Sequence, residues 1–321
     1  MNKIILLFIF HWIVSFAYSI DKRGISVLMT ENKVVYDICF SAKGDILGIA
    51  DNSEIKIYRT NSKELLRQFK GGHNGQILSL DISQDSTILV SGGKDSTIVI
   101  RDFINGNIIK SLRYHKGIVT SVKLSPDGRY LVSGGTDDKV YLYDIKNDIV
   151  VREFTEHKDD VTCVAFSPDS RLIAAGGGDK VITVYNTEDS EFMIALSGHT
   201  GWVRDVVFSH DGKRLLSCGD DAKILQWDVT DKNTINKISE IKYDHSWILC
   251  VKTSEDDKSY LYGSLNGSIQ VLFSGGNYFG NVHVPVNRIL TRQDAGSNLQ
   301  IAIATRGKGV MLIDASVLKY R

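Results

Sequence analysis

A repeat of 42 residues is the feature of this sequence that most limits its fold. Three sets of polar residues recur with that step along the middle of the chain. They are His73, His115, His157 and His199; Asp95, Asp137, Asp179 and Asp221; and Asp102, Asp144, Asn186 and Asp228. A repeat of this length indicates a supersecondary unit that must stack on copies of itself to bury its apolar face.

Each unit is predicted to contain four short strands. The histidine is followed by an alternating apolar run such as residues 161–166, and then by a turn such as Ser125-Pro126-Asp127-Gly128. Pro fixes one backbone angle in such a turn, and Asp or Gly completes the reversal. Two more strands and a polar outer strand precede the next histidine. Short strands at regular spacing with turn sequences between them predict an all-β protein.

These units resemble WD repeats, the WD40 family of β-propellers. The resemblance is carried by a Gly-His start, a Ser-Pro-Asp-Gly turn, a Ser-Gly-Gly segment and a Trp-Asp end, with Gly198-His199 and Trp227-Asp228 in one unit. It implies one four-stranded antiparallel sheet, or blade, per repeat. With one degenerate unit before the four regular ones and two after them, the chain is expected to form seven blades.

The ends of the chain suggest how the ring closes. The last unit, which starts at residue 286, is one strand short when the chain stops. The resemblance implies that residues 25–29 supply the missing strand, which would remove open sheet edges. The predicted domains are therefore a signal peptide over residues 1–19 and a propeller over residues 20–321.

The first nineteen residues predict export. Lys3 is followed by an almost wholly apolar run over residues 4–17, and Ala17-Tyr18-Ser19 offers small residues where a signal peptidase cuts. This is the layout of a secretory signal peptide cleaved after Ser19. The expected location is the bacterial periplasm or the cell surface, and no membrane insertion is expected after cleavage. An uncleaved membrane anchor is the alternative.

Charge and cysteine content narrow the function classes. Lys plus Arg and Asp plus Glu both number 38, and this balance argues against general nucleic-acid binding. The four cysteines fall in different predicted blades with no CxxC spacing, so free, buried thiols are expected. No metal site and no cofactor are predicted.

The histidine and aspartate ladders are interpreted as structural, because a catalytic group should occur once rather than once per blade. In the resembling propellers the histidine bonds the ladder aspartate, a strand serine and sometimes the tryptophan. The full set here would be His199, Asp221, Ser217 and Trp227. The other blades would hold partial networks: His73 with Asp95, His115 with Ser133 and Asp137, and His157 with Asp179. Arg101 and Tyr143 replace the tryptophan in blades two and three, and Ala175 replaces the serine in blade four.

A binding surface is predicted on the narrow face, formed by the starts of the innermost strands and the turns after the second strands. The resemblance implies that partners bind there. The residues singled out are Tyr36, Lys94, Asp160, Trp202, Arg204 and Trp247. Trp202 and Trp247 take equivalent positions in adjacent blades, and exposed Trp, Tyr and Arg are enriched in binding hot spots.

The expected function is a non-catalytic scaffold of the bacterial envelope that binds a protein or peptide of unknown identity, with a monomeric ring sufficient for the fold. Two alternatives remain open at this stage. One is an exported propeller that binds or hydrolyses a small molecule, and the other is an intracellular WD40 adaptor with a membrane-anchoring N-terminus.

Overall fold

The computed structural model describes residues 25–27, 34–189, 191–231, 234–243, 246–254, 256–273, 276–293, 299–314 and 319–320. The predicted signal peptide lies outside the described residues. The described part of the chain forms seven antiparallel sheets and contains no helix. This confirms the predicted all-β, seven-bladed propeller.

Each blade is a meander in which successive strands are neighbours, from the axis outward. Listed from the innermost strand, the strands are Ile38–Phe40, Ile46–Asp51, Glu54–Arg59 and Leu65–Phe69 in blade one; Ile77–Ile82, Ile88–Gly93, Ile98–Asp102 and Ile108–Leu112 in blade two; Val119–Leu124, Tyr130–Gly135, Val140–Asp144 and Ile149–Phe154 in blade three; Val161–Phe166, Leu172–Gly177, Val181–Asn186 and Phe192–Ser197 in blade four; Val203–Phe208, Arg214–Gly219, Lys223–Asp228 and Asn236–Lys242 in blade five; Ile248–Thr253, Ser259–Ser264, Ser268–Phe273 and Gly276–Asn281 in blade six; and Val286–Gln293, Leu299–Thr305 and Val310–Asp314 in blade seven.

The fourth strand of blade seven comes from the other end of the chain. The strand Ile25–Val27 runs antiparallel to Val310–Asp314, with Ile25 opposite Ile313. The innermost strands contact one another in sequence around the axis, and that of blade seven contacts that of blade one. The ring is therefore continuous.

Blade six differs from the prediction because it has a fifth strand. Lys319–Tyr320 pairs antiparallel with the outer strand Gly276–Asn281 of this blade, so the C-terminal residues cover an edge. The sequence prediction ended the chain with blade seven. A strand of two residues is too short to leave a period-2 pattern, so this pairing could not be predicted from the sequence.

The turns at the ends of the innermost strands are fixed by a repeated side-chain pattern. In blade three the Ser125 hydroxyl donates to Asp127 Oδ1 (2.5 Å) and accepts from Tyr130 N (2.8 Å), while Gly128 adopts φ 74°. The same bonds start from Ser83, Ser167, Ser209 and Ser254. Such turns are stable because the Ser and Asp side chains hydrogen-bond the backbone groups that are left without strand partners where the chain reverses.

The core lies between blades rather than within one sheet. One cluster, for example, combines Val184 of blade four with Val203, Leu225 and Trp227 of blade five. The cysteines Cys39, Cys163, Cys218 and Cys250 are free and buried in these layers, as predicted. Among the described residues, no helix has the length and apolar character that crossing a membrane requires.

Candidate functional site

In blade five the structure brings together all four residues of the predicted polar network. His199 Nδ1 lies 3.0 Å from both carboxylate oxygens of Asp221, and His199 Nε2 lies 2.9 Å from Ser217 Oγ. Trp227 Nε1 donates to Ser217 Oγ at 3.1 Å. Because an indole nitrogen only donates, the serine hydrogen is free to go to Nε2, and Nδ1 then carries the proton that Asp221 accepts.

The other regular blades build the network with substitutes. His73 contacts Asp95 and Ser91 at 3.0 and 2.8 Å, and His115 contacts Asp137 and Ser133 at 2.8 and 2.9 Å. In blade four Ala175 occupies the position at which the other regular blades have a serine, as the sequence predicts. There His157 Nδ1 lies 3.0 Å from Asp179 Oδ2, and the Thr183 hydroxyl of the next strand lies 2.9 Å from His157 Nε2. The substitution thus leaves no ring nitrogen of His157 without a partner.

The replacements for tryptophan behave differently in blades two and three. Arg101 is buried and donates to the carbonyl oxygens of Gly71 and of Gly106, the latter at 2.9 Å. Tyr143 lies at the tryptophan position, but its hydroxyl donates to Asp148. The contact with the serine is made instead by the Tyr114 hydroxyl, which lies 3.3 Å from Ser133 Oγ.

The electrostatics of these networks favour a charged aspartate in each regular blade and a neutral His73 in blade two. Burial opposes ionisation of Asp95, but hydrogen bonds from His73, Asn74 N and Thr97 N hold its pKa below the ordinary value. The pKa values of Asp137, Asp179 and Asp221 are lowered in the same way. Burial lowers the pKa of His73 despite its contact with Asp95. With both ring nitrogens occupied and buried, these histidines hold the narrow-face loops in place.

One backbone hydrogen bond at an equivalent position organises the narrow face in each of blades two to seven. In blade five Asp220 N donates to Trp202 O, and in blade six Leu265 N donates to Trp247 O, both at 2.9 Å. Each bond ties the turn after the second strand to the start of the innermost strand. Trp247 therefore occupies the same position as Trp202, although the loop before it is one residue shorter.

Trp202, Arg204 and Trp247 form a stack on this face. The Arg204 guanidinium carbon lies 4.9 Å from the Trp202 ring centroid and 5.8 Å from that of Trp247. Arg204 also donates two hydrogen bonds to the Asp220 carboxylate, at 2.7 and 2.6 Å. Trp202 is half-buried, while 46% of Trp247 is exposed. The bidentate pair fixes the arginine, and its cation–π contacts in turn stabilise the arrangement of the two indole rings.

Gly178 allows Trp202 to lie across the boundary between blades four and five. A Cβ atom on Gly178 would lie 3.0 Å from Trp202 Cε2 and 2.7 Å from Asp159 Oδ2. A larger residue at this position would therefore require Asp159 and Trp202 to shift. The Gly176-Gly177-Gly178 run has a packing role and follows the repeat.

An acidic group borders this stack. Side-chain oxygens of Asp138, Asp159 and Asp160 lie within 4.8 Å of one another, and all three residues are partly buried. Burial, followed by the charges of Asp159 and Asp138, raises the pKa of Asp160. In the described chain no other group of three acidic, histidine or cysteine side chains comes this close together. The remaining predicted contact residues, Tyr36 and Lys94, lie in blades one and two, with Lys94 Nζ 5.6 Å from the Tyr36 ring centroid.

The sequence analysis missed a charged layer on the axis. Arg288 of blade seven places Nη1 3.0 Å from Asp205 Oδ1 and Nε 3.3 Å from Asp37 Oδ1, so it bridges blades five and one. Burial opposes its charge, but Asp205 and Asp37 raise the pKa of Arg288 above its ordinary value. A ladder with the same 42-residue step marks this layer in the sequence: Asp37, Ser79, Ser121, Cys163 and Asp205.

Side chains of this axial layer also bond the neighbouring blade. Asp37 accepts from Leu80 N at 2.8 Å, Ser79 from Val122 N at 3.1 Å, and Ser121 from Val164 N at 3.2 Å. These bonds explain why polar residues recur at an otherwise apolar inner position. Each one satisfies a backbone amide that the blade's own ladder leaves free.

Comparison with known families gives two matches. The family described as "WD domain, G-beta repeat" matches residues 106–144, 149–186 and 190–228. The family described as "Anaphase-promoting complex subunit 4 WD40 domain" matches residues 38–124. Together the matched segments run through blades one to five.

Two curated relatives share a shorter segment. The "77 kDa echinoderm microtubule-associated protein" of Strongylocentrotus purpuratus is 28% identical over 81 residues, which are 25% of this chain and 12% of that protein. The protein of the same name from Lytechinus variegatus matches with the same identity and coverage. The chain thus spans about an eighth of the length of these relatives.

Proposed function

We propose that this chain, which belongs to the WD40-repeat family of β-propellers, is a non-catalytic scaffold of the bacterial envelope that holds a protein or peptide on its narrow face. WD40 propellers are typical protein-interaction scaffolds and are generally non-catalytic. The observation that carries the proposal is the Trp202–Arg204–Trp247 stack, in which Trp247 is 46% exposed although it sits in an ordered arrangement. A rigid, exposed aromatic group gives contact area at little entropic cost.

The chemistry of the partner follows from the groups around the stack. Asp220 neutralises Arg204, whereas no ion pair with a described cation offsets Asp138, Asp159 and Asp160. A complementary segment therefore carries a Lys or Arg side chain opposite the three carboxylates and an apolar or aromatic side chain against Trp247. Charge complementarity of this kind sets register and speeds association.

The location in the envelope rests on the N-terminal sequence. Residues 4–17 are apolar after Lys3, and Ala17-Tyr18-Ser19 fits a cleavage site. The name of the echinoderm relatives refers to microtubules, but the shared segment is only 12% of their length. We therefore do not extend microtubule association to this chain.

Affinity capture with mass spectrometry from native envelope fractions tests the scaffold. We expect a partner that is captured by the wild type, lost with Trp202→Ala/Trp247→Ala and weakened with Asp160→Asn. The matched control is Ile149→Ser/Val151→Ser, which changes exposed apolar side chains on the outer edge of blade three and should retain the partner. All variants are first compared by thermal unfolding.

Three results would count against the proposal. A partner that is lost equally with the outer-edge control would show that it does not bind specifically at the narrow face. A partner that the tryptophan variant retains would show that Trp202 and Trp247 are not its binding site. Detection of the chain with its first nineteen residues in the cytosolic fraction would refute export and leave the binding site standing. The expected mature N-terminus is Ile20.

A further inference from the structure

A cavity of about 300 Å³ lies at the axis of the ring, on the side where the innermost strands end. Its lining includes Lys123, Lys252 and Arg288 from three different blades, together with Asp81 and His210. The narrow-face residues described above are not part of this lining. The cavity is therefore a separate feature from the proposed partner surface.

Lys123 and Lys252 occupy the same position in blades three and six but have different surroundings. Each is the second-last residue of an innermost strand and follows the same bulge in register. Lys123 Nζ lies 3.4 Å from Asp81 Oδ1 and donates to Leu80 O at 3.3 Å. The half-buried Lys252 forms no ion pair and donates no hydrogen bond to any residue that the structure describes.

The nearby carboxylates are already engaged by other donors. Asp81 accepts from Leu124 N at 2.9 Å as well as pairing with Lys123. Asp205 accepts from Val206 N and Val251 N and pairs with Arg288. They influence Lys252 only through space. A charged ammonium group without an acceptor has a higher free energy in a cavity than in water. The site therefore favours any small group that supplies acceptor oxygens and negative charge.

The charge state of Lys252 fits this reading. Burial, then the charges of Arg288 and Lys123, lower its pKa to about 8, while Asp205 and Asp81 act in the opposite direction. His210, whose side chain is 52% exposed, pairs with Asp257. The other titratable groups that line the cavity are Cys39, Asp81, Lys123 and Arg288. Lys252 is therefore mainly protonated at neutral pH and close to losing its proton.

We propose that this axial cavity binds a small oxyanion, of the phosphate, sulfate or carboxylate type, through the Lys252 ammonium with Lys123 and Arg288 beside it. An inorganic phosphate or sulfate is far smaller than the cavity, and a short carboxylate also fits. The three cations come from blades three, six and seven, so a bound anion would link blades across the axis. A charge-assisted bond from Lys252 supplies the main contact.

Isothermal titration calorimetry of the mature protein tests the site with sodium sulfate, sodium phosphate and sodium acetate at constant ionic strength. Saturable binding is expected, roughly tenfold weaker or undetectable in Lys252→Met, because that variant keeps the volume but removes the donor. Lys43→Met, at an exposed position outside the cavity, is the control and should bind as the wild type does. Stronger binding of sulfate and phosphate than of acetate identifies a tetrahedral anion, and the reverse a carboxylate.

Proton uptake separates a role of Lys252 from general ionic effects. At pH 8 binding of sulfate, which does not titrate there, should take up a fraction of a proton, because the pKa of Lys252 is about 8 and part of the Lys252 side chains are then unprotonated. Lys252→Arg should keep binding but lose this uptake. The proposal is overturned if no anion binds saturably to the wild type, or if Lys252→Met binds as tightly as the wild type.

Discussion

Blades two to five and the three remaining blades are held together by different polar contacts. Each regular blade has its own histidine, aspartate and hydroxyl network, so its narrow-face loops are fixed locally. Blade seven has no described network of that kind, and instead sends Arg288 to Asp37 and Asp205 on the axis. Long-range charge pairs thus tie blade seven to the regular blade five through Asp205 and to the degenerate blade one through Asp37. Within the described residues, blade seven lacks the local polar network of the regular blades and is stabilised instead by charge pairs on the axis, where the ring closes.

The axial charge pairs should show the largest effect in a test of this contrast. Arg288→Met is expected to lower the free energy of unfolding by about 3–5 kcal/mol, because Asp37 and Asp205 would stay buried without a counter-charge. Chemical denaturation measures the change. The matched control is Arg306→Met, an exposed arginine of the same blade that donates to Asn287, with an expected change below about 1 kcal/mol.

A charge-neutral triple variant decides whether the pair or the packing matters. Arg288→Met/Asp37→Asn/Asp205→Asn should recover a large part of the loss, since it leaves no buried charge unpaired. If the triple variant is less stable than Arg288→Met alone, the carboxylates act mainly as acceptors for backbone amides, and the contrast between local and long-range contacts fails.

The ladder position itself gives the next largest effect. Asp221→Ala in blade five should lower the free energy of unfolding by about 2–3 kcal/mol, because a carboxylate only 3% exposed is lost together with its bonds to His199 and Thr200 N. Asn266 takes the same position in blade six but is exposed, and its Oδ1 accepts from Ser264 Oγ and Ser268 N. Asn266→Ala should cost less than about 1 kcal/mol. Equal losses would show that the two blades are held alike.

Acidification should weaken the regular blades in two stages. Burial holds the pKa of His73 below the ordinary value of 6.5, so the unfolded chain binds more protons near that pH, and the free energy of unfolding falls as the pH drops below 6.5. The pKa values of Asp95, Asp137, Asp179 and Asp221 lie below 3.8, so their contribution is present above that pH and is lost below it. Denaturation at a series of pH values measures both. In Asp221→Asn the second decline should be shallower, and an unchanged slope would contradict the assignment.

Much of the regular part of this fold could be read from the sequence, because one period fixes strands, turns and networks together. The spacing of His199, Asp221 and Trp227 is set by the blade geometry, so it appears directly as a repeat. The position of Trp202 beside Trp247 also followed from this alignment. Their stacking with Arg204 did not, because it depends on side-chain directions at a blade boundary.

The axial layer could be read only in part. Asp37, Ser79, Ser121 and Asp205 share the period and could have been found. Arg288 breaks the period in both residue type and spacing, and its partners are far away in the chain. Lys252 was equally invisible, because its distinguishing property is the absence of the aspartate that pairs with Lys123. Contacts made by ring closure leave no local pattern.

The smallest predicted effect concerns the tyrosines of blade three, where sequence alignment and contacts differ. Tyr143 holds the tryptophan position, but Tyr114 makes the contact with Ser133 that Trp227 makes with Ser217. Tyr114→Phe should lower the free energy of unfolding by about 1 kcal/mol, since it removes one partly buried hydrogen bond without changing the ring. Tyr143→Phe, which removes a bond to the exposed Asp148, should cost about 0.5 kcal/mol or less. The reverse order in chemical denaturation would mean that sequence position, and not the contact with serine, decides which aromatic residue stabilises a blade.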